Sequence, residues 1–216
     1  MMQKLRRRPV AVMLCYLAVY QLCFVLLERW QRPYHLVHCR LDAYIPFHQV
    51  WVVPYVLWFV WVPLTLLWFL KHSEGLFWRL FAAIALGNTV ATGVFAVWPT
   101  IQLRRRTLYG SDVFTSLIRF IYTVDTPTNV CPSLHTSVSV AILLAVLASG
   151  MGKSGKLAHT VITVAICLST VIIRQHSCVD VLWGAVLSLA MWYLVDAVML
   201  RSHSPKRKKR QRLHRA

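Results

Sequence analysis

The sequence predicts an all-α, polytopic membrane protein: a bundle of six transmembrane helices with one interfacial helix in the second outer loop. Three observations carry this. Of 216 residues, 57% are hydrophobic and only 14% charged, too apolar for a water-soluble domain of this length. Six apolar windows are expected to be long enough to cross a hydrocarbon core of about 30 Å, which needs about 20 apolar residues in a helix. Basic residues crowd into alternate connections between those windows.

Window 9–27 follows Lys4, Arg6, Arg7 and Arg8, the charge pattern of a secretory leader. Its apolar stretch outruns a leader's core. Neither Gln21-Leu22-Cys23-Phe24 nor Leu26-Leu27-Glu28 offers a small-x-small cleavage site, so it is expected to remain as a span. In window 50–70, Pro54 and Pro63 remove backbone donors and are expected to bend the helix. Gly87 and Gly93 in window 80–98 permit close helix contact. Windows 133–150, 157–173 and 181–200 complete the bundle, with Trp51, Trp98, Trp183 and Trp192 as candidate interface residues. Between the third and fourth windows, Phe114, Leu117, Ile118 and Ile121 recur at helical spacing behind a Ser111-Asp112 cap, which predicts the short interfacial helix. Residues 1–200 thus form one membrane domain, and 201–216 a basic tail expected to be disordered.

Net charge is +17. With both ends cytoplasmic, sixteen of the twenty-four Lys and Arg residues fall inside, which favours that orientation. The tail run Lys206-Arg207-Lys208-Lys209-Arg210 is read as a contact for anionic lipids, and nothing else resembles a nucleic-acid module. Six cysteines show neither a Cys-x-x-Cys pair nor zinc spacing. Cys39, Cys131 and Cys178 fall on the outer side, where one disulfide among them is an open expectation whose pairing spacing does not fix.

The same orientation brings three ionisable residues to one face. His135 stands in Pro132-Ser133-Leu134-His135 at the start of one window, and His176 and Asp180 lie four residues apart at the start of another. Such groups at segment edges mark a functional site by default. On a helix, positions i and i+4 share a face, so Asp180 is expected to hold one ring nitrogen of His176 and aim the other outward as nucleophile or base. Pro132 suits a first helical turn, where Ser133 and free N–H groups would form an anion cup beside His135. Arg104-Arg105-Arg106 and Arg119 sit on the side where basic residues are scarce, so they call for an anionic partner, either lipid headgroups or a bound phosphate.

These parts suit phosphoryl transfer. His176 attacks phosphorus, Asp180 steadies the imidazolium, and His135 protonates the leaving alkoxide and then activates water. Arg104, Arg105 and Arg174, with Ser133, would neutralise the phosphate oxygens. This chemistry needs neither metal nor cofactor. A zinc ion held by His135, His176 and Asp180 is the competing reading. In either case imidazoles more than roughly 8 Å apart could not share one phosphorus.

The residues resemble the type 2 phosphatidic acid phosphatase superfamily of membrane phosphatases and lipid phosphotransferases. Pro132-Ser133-Leu134-His135 is similar to its Pro-Ser-Gly-His motif. Ser169-Thr170 followed by His176 and Asp180 is similar to its Ser-Arg-x5-His-x3-Asp motif. Asp42-Ala43-Tyr44-Ile45-Pro46-Phe47 and residues 125–135 resemble a bacterial branch, so the likeness runs over 41–184. The chain departs from the family's Lys-x6-Arg-Pro motif, of which only Leu103-Arg104 remains, and has Thr170 in place of Arg. Leu134 replaces Gly, as in branches resembling inositol-phosphoceramide and sphingomyelin synthases.

The resemblance implies a hydrolase that removes phosphate from a lipid phosphate, such as a phosphatidate or polyprenyl diphosphate, at the outer leaflet. The rival within the same chemistry is transfer of the phosphoryl headgroup to a lipid alcohol. A non-catalytic lipid-binding protein is the reading of another class. A proton-relay transporter is disfavoured because the charges gather at one face and not the midplane. An intramembrane serine protease is disfavoured because no Gly-x-Ser-Gly lies near Ser133, Ser137 or Ser139, where the only nearby histidine is His135.

Overall fold

The computed structural model describes residues 8–30 and 34–203, and these are mainly helical. In chain order the elements are α1 (Pro9–Arg29), β1 (His35–Leu36), α2 (Leu41–Tyr44), a 3-10 turn (Gln49–Trp51) running into α3 (Val52–His72), and α4 (Glu74–Val97). They continue with β2 (Thr100–Ile101), α5 (Val113–Val124), α6 (Leu134–Ala148), α7 (Lys153–Ile172) and α8 (Cys178–His203). Five of these helices, α1, α3, α4, α7 and α8, are long and apolar enough to cross a membrane. Leu14, Leu64, Leu157 and Leu182 are among many large apolar side chains left exposed on them. Apolar surface on that scale marks a membrane protein.

Helix α6 is apolar but has 15 residues, about 22 Å at 1.5 Å per residue, less than the expected fourth span. The third window begins earlier than its hydropathy suggests, at Glu74. Arg79 can stay within it because its guanidinium meets Asp196 of α8 at 2.8 Å and lies 3.9 Å over the Trp192 ring. Pro63 is inside α3, but Pro54 is in the first turn, where a missing N–H costs nothing, so only Pro63 can bend the helix as expected. Helix α5 starts where its cap was predicted, the Asp112 carboxylate accepting from Phe114 N and Thr115 N at 3.1 Å. The last helix runs to His203, so residues 201–203 of the expected tail are helical. The basic run 206–210 and the leading Lys4, Arg6 and Arg7 lie outside the described residues.

The main core fills the space among α3, α4, α6, α7 and α8, with Phe69, Phe77, Leu80, Ile142, Val146 and Ile166 wholly buried. Val52 and Tyr55 of α3, Ile118 and Ile121 of α5, and Ile173 form a second cluster. This packs the α5 helix over the end of the bundle that bears the histidines. Helix α1 is peripheral, with no buried residue, and holds α4 through a Tyr16 hydroxyl donating to Ala85 O at 2.7 Å. The connections at the histidine end are knitted together. β1 pairs in parallel with β2, His35 opposite Thr100 and Leu36 opposite Ile101, and Ile101 bridges to Thr128.

Of the glycines expected to permit close contact, Gly87 would give an added Cβ ordinary contact with Ser137 Oγ at 3.5 Å, and Gly93 faces open space. The tight approach is at Gly184 of α8, where a Cβ would run into the carbonyl oxygen of Ser133. That oxygen belongs to backbone at the start of α6, so it cannot swing away. Gly184→Ala is expected to destabilise the detergent-solubilised protein by about 1–3 kcal/mol through overpacking, whereas Gly93→Ala leaves it unchanged or slightly firmer. Thermal melts of the two variants check this, and equal midpoints would contradict the packing described.

Candidate active site

The turn carrying His176 is built by the two helices it joins. Helix α7 ends against Arg174, which takes a left-handed backbone conformation (φ 63°), and the N–H groups of Gln175 and His176 both return to Thr170 O at 2.9 Å. Ser177 then precedes α8. The Asp180 carboxylate reaches back to Ser177 N at 2.8 Å while Val179 N donates to Ser177 Oγ at 3.3 Å, the reciprocal pattern of a capping box. The same Asp180 oxygen meets His176 Nδ1 at 3.3 Å. The expected pair therefore exists by a different route. His176 is in the turn and not on the helix, and capping geometry, not a shared helical face, brings the carboxylate to it.

His135 is the second residue of α6, whose N-cap is Ser133. Pro132 precedes the helix, joined to Cys131 by a cis bond, so it is not in the first turn as expected. The Ser133 hydroxyl accepts from Thr136 N at 3.4 Å and is fully buried. It serves the helix and is not presented to a ligand. The His135 ring is clasped by aromatic side chains of α3, with centroids 4.5 Å from Tyr55, 4.5 Å from Trp58 and 5.9 Å from Phe59. His135 and His176 meet edge to face, centroids 5.9 Å apart, inside the limit for sharing one ligand atom.

Both imidazoles line a cavity of about 60 Å³, with Phe24, Asp125, Thr126, Thr128, Asn129, Val130, Leu134 and Gln175. That is several times the ~10–15 Å³ a single water needs. Buried polar atoms without a partner gather around it: His135 Nε2, both amide atoms of Asn129 and Gln175 Oε1. Such groups are costly to leave bare in a protein interior. They suit a small polar guest.

Asp125, Asn129, Gln175 and Tyr55 were not singled out from the sequence. The Asp125 carboxylate accepts from Tyr55 OH at 2.5 Å and from Gln175 Nε2 at 2.9 Å. Asn129 adopts a left-handed conformation (φ 53°) that asparagine tolerates well, with its N–H on Thr100 O at 2.6 Å. Its neighbours Val130 and Cys131 donate to Thr100 Oγ1. A polar Asx-rich stretch just before a helix was the available signal.

The arginines expected around the phosphate are held elsewhere. Arg104 pairs with the Asp42 carboxylate at 3.3 Å and also donates to the Asp42 carbonyl. Arg174 donates to Asp42 O and Ile45 O at 3.3 and 2.8 Å. Arg105 donates to the carbonyls of Tyr122 and Asp125. Arg106 lies 6.0 Å over Phe47, and Arg119 donates to Gly110 O at 2.9 Å. None of these side chains lines the cavity among the described residues. Arg105 stands nearest in the network, through Asp125.

Asp42 is the acid that organises this basic cluster, and it is 2% exposed. Burial raises its pKa. The Ser177 hydroxyl at 2.6 Å and the Cys178 and Cys39 N–H groups at 2.9 Å outweigh that and hold it below the ordinary carboxylate value. Burial pushes the Cys131 thiol up to about 12, with the Asp180 carboxylate beside it adding to the shift. The one grouping of metal-ligand type among the described residues is Cys39, Asp42 and Cys178, not the histidines. Its carboxylate is already neutralised by Arg104, which disfavours a cation.

No protein-family model matches the chain, and neither a curated protein nor a solved structure matches it.

Because the Asp42 pKa is lowered on folding, its contribution is fully present above the unfolded value, near 4, and is lost as pH falls through the lower folded value. Wild-type melting temperature is expected to drop as pH falls from about 5 to 2. Asp42→Asn should start lower at neutral pH and lose less on acidification. Parallel acid limbs for the two proteins would remove Asp42 as a contributor.

Proposed function

We propose that the chain is a membrane-embedded lipid phosphatase that works without a metal through a phosphohistidine at His176. The reading includes six spans, both termini cytoplasmic, and the site at the extracytoplasmic face. The observation that carries it is the pair of imidazoles, 5.9 Å apart on one polar cavity, with a carboxylate hydrogen-bonded to only one of them. That asymmetry separates the roles. Asp180 fixes Nδ1 of His176 and leaves Nε2 as the nucleophile, while His135, with an unpartnered Nε2, is free to give and take a proton.

In the first half-reaction His176 Nε2 forms a bond to phosphorus, the ester P–O bond breaks, and the lipid alkoxide takes a proton from His135. In the second, His135 takes a proton from water, the hydroxide oxygen attacks phosphorus, and the P–N bond breaks to release phosphate. Asp180 stabilises the positive imidazole in between. Tyr55 and Gln175 both donate to the Asp125 carboxylate, which reduces the repulsion an entering phosphate meets there. Arg105, which donates to the Asp125 carbonyl, adds positive charge beside that residue.

The membrane arrangement follows from the same reading. Helix α6 is short for a span but is surrounded by α4, α7 and α8, with Ile142, Ala145 and Val146 wholly buried, so much of its length is shielded by protein and not by lipid. Helix α5 buries Thr115, Ile118 and Ile121 and leaves Val113, Phe120 and Val124 exposed, which suits a helix lying at the outer leaflet. The segregated basic residues favour termini on the inside, where the tail would meet anionic lipid.

Labelled phosphatidate given to the purified protein tests the proposal. His176→Ala should abolish both phosphate release and acid-labile labelling of the protein. His135→Asn should slow turnover by about 10²–10⁴. Phosphate release by His176→Ala equal to wild type would refute the phosphohistidine. Adding ceramide or diacylglycerol separates the two acceptors, since free phosphate supports hydrolysis and a new phospholipid supports transfer.

A further inference from the structure

We infer that Cys39 and Cys178 form a reversible disulfide that staples the first outer loop to the turn carrying His176. Their sulfur atoms and the Asp42 carboxylate lie within 4.8 Å of one another. The two backbones are already aligned, because Cys39 N donates to one Asp42 oxygen and Cys178 N to the other, each at 2.9 Å. Both cysteines are half-buried. A disulfide would bring the sulfurs from that separation to ~2.05 Å by rotation about the two side chains, within a joint closed by Ser177, Arg104 and Arg174 on Asp42.

The structure also selects the pair. Cys131, the remaining cysteine on this side, is turned toward Asp180. Cys178 is two residues beyond His176, so the bond would restrain the segment that sets the His176 and Asp180 geometry. A zinc ion on Cys39, Asp42 and Cys178 is the competing occupant, disfavoured by the Arg104 guanidinium already on that carboxylate.

Formation is thiol–disulfide exchange with a disulfide oxidant. The Cys39 thiolate attacks the oxidant's disulfide and expels one thiolate; Cys178 gives up its proton as its sulfur attacks the Cys39 sulfur and expels the second, and the departing thiolates take up the protons. The two cysteines lose two protons and two electrons, and the oxidant gains both. In the cell this rests on the proposed extracytoplasmic position of this face, where such oxidants act.

The test uses the full-length protein in detergent, treated with oxidised glutathione or dithiothreitol, alkylated with N-ethylmaleimide and digested without reductant. The expected result is four alkylated cysteines after oxidation against six after reduction, with one Cys39–Cys178 cross-linked peptide. Cys39→Ser and Cys178→Ser should each abolish the cross-link and the dithiothreitol-dependent fall in melting temperature, while Cys131→Ser keeps both. Alkylation of Cys39 and Cys178 after oxidation, a link to Cys131, or protection that chelator and not dithiothreitol removes would each overturn the proposal. Because oxidation is done on purified protein, the cross-link is read independently of phosphatase activity and of which side the face occupies.

Discussion

A single buried carboxylate holds this end of the molecule together. Asp42 accepts from Cys39 in the connection between α1 and α3 and from the α7–α8 turn at Ser177 and Cys178, and it pairs with Arg104 from the connection between α4 and α5. Three segments far apart in sequence thus converge on two oxygens. Hydrogen bonds to a charged group are among the stronger ones available, and removing the charge would leave several donors bare at once. The position of His176 depends on this joint, since Ser177 is anchored to Asp42 on one side and to Asp180 on the other.

The two carboxylates near the histidines do opposite work. Asp180 is spent on orientation, capping α8 and fixing one nitrogen of His176. Asp125 faces the cavity, where Tyr55 and Gln175 tie it down and Arg105 holds its carbonyl. The arginines that charge counting assigns to a phosphate instead satisfy carbonyls and Asp42. The run of arginines between α4 and α5 is explained in large part by the fold itself.

How much could be read in advance differs by scale. Helix number and placement were largely legible, because apolar length is the dominant constraint on a chain in lipid. The exceptions were local: Glu74 and Arg79 lie within α4 because Asp196 and Trp192 receive Arg79, and Pro54 is harmless because of where the helix starts. His135, His176 and Asp180 were legible because ionisable residues are rare in apolar segments. Asn129, Gln175 and Tyr55 were not, since polar loop residues and a tyrosine in a span are unremarkable until the chain places them on one cavity.

Hydropathy and charge, which are properties of single segments, determined that this is a helical membrane protein and which histidines stand out. The tertiary structure decided what surrounds those histidines: that a capping box and not a helix face brings Asp180 to His176, that Gly184 must lack a side chain to admit the Ser133 carbonyl, and that Arg104 and Arg174 turn to Asp42. Those are meetings between residues distant along the chain. Their partners are set by three-dimensional packing and by the need to satisfy every buried polar group, neither of which is written in local composition.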